Sequence, residues 1–291
     1  MPRFGIKASA QNGQLMTESR PVKLALVGGG NMARALLMGA LDSGIAETWE
    51  VGVADPSAPQ RQVLTNLGIR CVERAEDLAT IIDDNTQLLL AIKPQVLEEV
   101  ARDANAPLSS PRVIISILAG VPSTRIRAAL GDNARVVRCM PNTPCRVRRG
   151  MTAIALGDGA QQGDDELAVR LFEAVGEVAR IDESMMNAYT AVVGSGPAYT
   201  FYLAEAMTTA ARQMGFDEQT ADAIVRQTIR GSGKLLSELL DQSPEDLRKA
   251  VTSPGGTTQA AIESLERDDV HDAIVRALVS ARDRGVELGS G

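Results

Sequence analysis

At 291 residues the chain is long enough for two domains, and 44% hydrophobic with 23% charged residues marks a folded chain rather than a disordered one. A formal net charge of −7 and an aromatic content of 3% argue against general binding of nucleic acid or of an anionic membrane surface. Three cysteines without a CxxC pair argue against a disulfide scaffold or a zinc centre and favour a reducing cytoplasm.

Residues 1–20 are mixed and polar, without the apolar centre of a signal peptide, and are expected to form a disordered extension in which Met16 offers an alternative start. From Lys23 onward, short apolar runs alternate with helical patterns. The runs are 24–27, 51–54, 88–92, 113–117 and 136–140, and two more, 152–156 and 177–181, are expected to extend the same sheet. Apolar runs without alternation suit strands covered on both faces, with helices such as 31–43 and 122–130 between them. Cys71 and Cys139 are expected to be buried apolar filler on such strands. The pattern predicts a Rossmann-like, doubly wound parallel α/β sheet over residues 21–181. Over 182–291 the strand-like runs give way to helical spacing, predicting an all-helical second domain. Asp217 suits the cap of a helix through 221–240, and Ser243-Pro244-Glu245-Asp246 has the cap, proline and acid of a helix start. No apolar stretch approaches the roughly 18 residues of a membrane span.

Gly28-Gly29-Gly30-Asn31-Met32-Ala33 matches G-x-G-x-x-A at the first strand-helix junction, where glycines allow a tight turn and close approach of a pyrophosphate to a helix N-terminus. Asp55 ends the second strand, where an acid binds the ribose 2′-hydroxyl of NAD and opposes the 2′-phosphate of NADP. Arg61 or Arg74 could compensate, and both could equally sit on a solvated face; Asp55 before Pro56 could equally form a turn. Ala91-Ile92-Lys93-Pro94-Gln95 and Ser116-Ile117-Leu118-Ala119-Gly120 end further strands, along the edge where open α/β sheets bind ligands. Asn142, in a loop held by Pro141 and Pro144, could present its amide to a ligand or simply belong to a rigid turn.

In the second half, Gly194-Ser195-Gly196-Pro197-Ala198 interrupts an apolar helix, either as a kink or as a point of close approach. The turn 252–258, Thr-Ser-Pro-Gly-Gly-Thr-Thr, precedes a helix expected near Gln259. Its amides and hydroxyls around a positive helix end suit a carboxylate. His271, the lone histidine, falls in a late charged segment and is expected at the surface. With no metal-ligand pattern either, the chemistry is expected to come from a cofactor.

GGGNMA, AIKPQ, RCMPNTP, AVVGSGPAY and VTSPGGTT, in this order, closely resemble pyrroline-5-carboxylate reductase, from Lys23 to the end. The resemblance implies reduction of 1-pyrroline-5-carboxylate by NADPH, or by NADH, in the last step of proline synthesis. It places cofactor contacts on Val27, Gly28, Gly29, Gly30, Asn31 and Met32, on Ala91, Ile92, Lys93 and Pro94, and on Ile117, Leu118 and Ala119. Asp55, Arg74 and Asn142 join these as candidates from the motif reading. The resemblance places the substrate carboxylate on the 253–258 loop, with Ser253, Gly256, Thr257 and Thr258 as binding residues and Thr258 as the catalytic candidate beside the ring nitrogen. It also implies a homodimer interdigitated through the helical domain, with the cofactor of one subunit meeting helices of both, and assembly into a larger ring such as a decamer. Two departures stand out. Arg146, Arg148 and Arg149 replace smaller or acidic residues, touching the cofactor phosphates or decorating a loop, and Leu118 replaces a smaller residue and could tighten the cofactor pocket. The competing readings are another imine or hydroxyacid reductase, for which Lys234 would be the available lysine, and a non-catalytic nucleotide-binding protein.

Overall fold

A computed structural model describes residues 22–103 and 109–290; the extension expected over 1–20 lies outside the described residues. Eight strands form one sheet: β1 (Leu24–Val27), β2 (Val51–Ala54), β3 (Arg70–Val72), β4 (Gln87–Leu90), β5 (Arg112–Ser116), β6 (Ala134–Met140), β7 (Gly150–Leu156) and β8 (Gly176–Arg180). Their order is β3-β2-β1-β4-β5-β6-β7-β8. Every neighbouring pair is parallel except β6 with β7.

The helices α1 (Asn31–Asp42), α2 (Ala58–Thr65), α3 (Leu97–Asp103), α4 (Ser123–Leu130) and α5 (Glu166–Glu173) connect and cover the strands. Alternate residues of each central strand feed two separate cores. Leu24, Leu26, Val51 and Val53 pack with Leu36, Leu37 and Phe172 from α1 and α5. Ala25, Val27, Leu88 and Leu90 pack with Leu97 and Ile126 from α3 and α4 on the other face. Burial of each such Leu or Phe contributes about 1.5–3 kcal/mol, so the two-sided covering predicted from unbroken apolar runs is what holds the sheet.

Three features depart from the sequence expectation. β3 is a short edge strand of three half-buried residues, so it has no apolar run to announce it. Cys71 sits on it only partly buried, packed against the core, whereas Cys139 on β6 is buried as expected. The antiparallel β7 follows from connection length. Only residues 141–149 join β6 to β7, fewer than the dozen or so that a parallel crossover needs.

After β8 the chain is helical: α6 (Met186–Tyr189), a π-helical turn (Thr190–Gly194), α7 (Gly196–Gln213), α8 (Glu218–Glu238), α9 (Pro244–Ala250), α10 (Thr257–Arg267) and α11 (Val270–Ser290). The Asp217 side chain accepts the Thr220 N–H at 2.9 Å and caps α8. Ser243 and Asp246 form a reciprocal capping box on α9. The interruption before Pro197 is a π-helical turn followed by a break at Ser195, after which α7 starts anew, and a Cβ at Gly194 would stand 2.8 Å from the Met140 Cε, so the segment is also a point of close approach. α11 returns against the sheet half: a Cβ at Gly289 would stand 2.9 Å from the Gly120 carbonyl oxygen, so glycine permits that approach. The outer helices cover little of their own apolar surface. Phe201, Tyr202, Leu240 and Val251 are each more than 60% exposed. No described helix is long and apolar enough to cross a membrane.

Candidate active site

The strand order reverses between β1 and β4, which leave their carboxyl ends side by side; open α/β sheets bind ligands at this crevice. The Ala91 N–H donates to the Val27 carbonyl at 2.9 Å, the Ile117 N–H to Leu90 at 3.2 Å, and the Gly28 N–H to Ala54 at 2.8 Å. These bonds bring the 28–33, 91–94 and 117–119 segments to one edge.

Gly28 turns the chain with φ +98°, and a Cβ there would lie 2.5 Å from the Ala91 carbonyl oxygen. A Cβ at Gly30 would meet nothing within 4 Å, so the space above the first turn of α1 is open. Gly30 caps α1 without a side-chain hydrogen bond, leaving the first amides of a twelve-residue helix to face that space. Ala33 is buried and lets α1 close on the sheet. Open cradle, uncapped amides and a positive helix end fit a dinucleotide pyrophosphate.

Asp55 is buried, and both its oxygens are engaged: the Gly29 N–H donates to Oδ2 at 2.7 Å and the Ser57 N–H to Oδ1 at 2.8 Å. The carboxylate therefore ties the glycine turn to the start of α2. Of the two arginines weighed as its compensation, Arg61 is the one nearby, donating to the carbonyls of Asp55 at 2.8 Å and Pro56 at 2.9 Å. Arg74 points elsewhere, pairing with Glu76 and Asp103, both at 3.1 Å. Arg34, which sequence reasoning passed over, reaches this corner from α1 and contacts Gln60 at 3.4 Å. Its position one helical turn beyond the glycines was the available signal.

Asn142 faces inward. Its amide nitrogen donates to the Val193 carbonyl at 3.3 Å and its oxygen accepts the Met151 N–H at 3.0 Å, so it fastens the loop after β6 to the π-helical turn and β7. Leu118, expected to line the cofactor pocket, is 3% exposed and lies in the core with Val121, Ile126 and Leu130.

The turn 253–258 is a second open helix start. The Gly256 N–H donates to the Ser253 carbonyl at 3.0 Å, and the Gly255 N–H to Gln259 at 2.7 Å. Gly256 caps α10 without a side-chain bond, and α10 begins at Thr257, two residues before the expected start. A Cβ at Gly256 would fall 2.6 Å from the Ser253 hydroxyl, so glycine keeps that hydroxyl in place. Among the described residues, no hydrogen bond or ion pair joins this turn to the strand-end edge. His271 is exposed beside Asp272, and Lys234 is exposed and paired with Glu238 on its own helix. Neither is placed as a buried general acid. No cluster of metal-ligating side chains occurs among the described residues.

Comparison with known proteins agrees with this geometry. A family model described as pyrroline-5-carboxylate reductase dimerisation matches residues 183–288, and one described as NADP oxidoreductase coenzyme F420-dependent matches residues 23–120. The pyrroline-5-carboxylate reductase of Methanosarcina acetivorans is 37% identical, covering 92% of this chain and 98% of its own. That of Pseudomonas aeruginosa is 36% identical, covering 91% and 96%. The solved structure of a pyrroline-5-carboxylate reductase from Coxiella burnetii superposes with a TM-score of 0.81 at 32% identity, covering 93% and 99%. Related over nearly its whole length to proteins of one kind, the chain belongs to the pyrroline-5-carboxylate reductase family.

Proposed function

We propose that the protein reduces 1-pyrroline-5-carboxylate to L-proline with NADPH, NADH being the alternative donor. The observation that carries this reading is the presence of two uncapped, glycine-bearing helix starts. One opens at the strand-order reversal and suits a pyrophosphate; the other, ringed by the hydroxyls of Ser253, Thr257 and Thr258, suits a carboxylate. The nicotinamide supplies a hydride when bound. The segments 27–32, 91–94 and 117–119 hold and orient the dinucleotide. Ser253, Gly256 and Thr257 hold the substrate carboxylate and select the attacked face. The Thr258 hydroxyl oxygen accepts the hydrogen bond of the protonated ring N–H and so orients it, the proton having come from solvent. A protonated cyclic imine is already electrophilic, so no buried histidine or lysine is required. A hydroxyacid reductase would need such a group, and the exposed, ion-paired Lys234 is unsuited to the part.

The exposed apolar faces of α7 and α8 support a homodimer; in the proposed assembly the 253–258 turn of one subunit completes the crevice of the other, and dimers join into a ring such as a decamer in the cytoplasm. Purified full-length protein is expected to oxidise NADPH in proportion to added 1-pyrroline-5-carboxylate and to release proline. Cofactor binding without turnover would favour the non-catalytic reading instead.

A further inference from the structure

We propose that Arg34, Arg146 and Arg148 form a phosphoryl-binding pocket beside the glycine turn, an inference that rests on the dinucleotide reading above. The three side chains line a pocket of about 260 Å³ between α1 and the loop after β6, together with Asn31 and Ala35. That is smaller than the roughly 300–1,000 Å³ of sites for drug-sized ligands and ample for one phosphoryl group. Arg148 has a left-handed backbone at φ 56°, and its exposed guanidinium pairs with Asp42 at the last residue of α1. Arg34 and Arg146 differ from most arginines of the sheet half. Arg61, Arg127, Arg135, Arg138 and Arg180 each pair with a carboxylate, whereas among the described residues Arg34 and Arg146 meet none. Arg34 contacts only the neutral Gln60, at 3.4 Å.

Arg146 lies with Arg148 and Arg149 on an exposed basic loop, and the partly buried Arg34 faces it from α1, so positive charge gathers at this pocket in a chain of net charge −7. Asn31 begins α1, so the positive end of that helix adds to the same field. The planar fork of arginine matches phosphoryl oxygens in pairs. The group bound is a phosphate, supplied by the pyrophosphate of the cofactor, by its 2′-phosphate, or by free phosphate.

Full-length wild type and the double variant Arg34→Gln/Arg146→Gln are titrated by calorimetry with NADPH, NADH and inorganic phosphate, and their melting temperatures are compared. At least one arm is expected to weaken about ten-fold or more, the scale of a lost charge-assisted contact. Equal weakening of both dinucleotides identifies the pyrophosphate, weakening of NADPH alone the 2′-phosphate, and weakening of inorganic phosphate alone a free anion. Arg146→Lys, which retains charge without the fork, is expected to recover part of the loss. Unchanged binding in all three arms overturns the pocket. Failure of wild type to bind either dinucleotide overturns the cofactor reading instead.

Discussion

Gly28 and Gly30 stand two residues apart, yet a methyl group would meet a carbonyl oxygen at 2.5 Å in one case and open space in the other. Gly28→Ala is therefore expected to destabilise the fold by about 1–3 kcal/mol, through its left-handed backbone as well as the collision. Gly30→Ala is expected to cost less than about 1 kcal/mol in stability while weakening NADPH binding strongly. Chemical denaturation and cofactor fluorescence titration separate the two effects; unchanged NADPH affinity in Gly30→Ala would remove Gly30 from the phosphate cradle. The glycines were legible because spacing alone states the demand for a tight turn before a helix. Asp55 was legible in part: the bond from the Ser57 N–H two residues on is the local turn the sequence offered, whereas the Gly29 amide comes from a turn 26 residues away. Only the folded sheet brings those amides together.

Among the elements, the entry to the helical half is held by a buried polar knot. Glu183 accepts Arg138 at 3.1 Å and the Ser123 N–H at 2.7 Å, joining β6, α4 and the turn before α6. Burial pulls the pKa of Arg138 below its ordinary value, and Glu183 opposes that pull. Glu183→Ala should cost about 3–5 kcal/mol, because it strands a buried guanidinium, and Arg138→Met/Glu183→Leu should recover part of the loss in urea melts. At the base of the sheet, Glu50 is held below its ordinary value of 4.5, first by hydrogen bonding to Lys23 and then by the Glu47 N–H. A depressed carboxyl stabilises the fold above its unfolded value and loses that contribution as pH falls through the folded one. Glu50→Gln is thus expected to destabilise near neutrality, with the difference shrinking below about pH 4; a gap independent of pH would show that the charge of Glu50 contributes nothing. Strong apolar runs and cap motifs announced β1, β2, β5, α8 and α9. The three-residue β3 and the reversal of β7 carried no such signal, since one is an edge without a core face and the other depends on connection length.

At the level of the whole molecule, the two helix starts lie on different halves, with no described hydrogen bond between them, and the helical arm leaves large apolar side chains exposed. If the 253–258 turn serves the partner's crevice, two inactive variants should complement each other. Mixing Thr258→Ala with Gly30→Asp chains before assembly is expected to restore activity, because one mixed site then holds a wild-type turn of each kind. Absence of recovery in verified mixed dimers would place both turns of a site on one chain. Thr258→Ala alone should lower turnover more than cofactor affinity. The motifs for both turns were readable in the sequence; which subunit supplies each was not, because that depends on a surface shared between chains. The most direct test follows the hydride itself, using NADPH deuterated at its transferable position with 1-pyrroline-5-carboxylate and the full-length protein. Direct hydride transfer gives proline carrying one deuterium at the former imine carbon; unlabelled proline, or no proline, would rule it out.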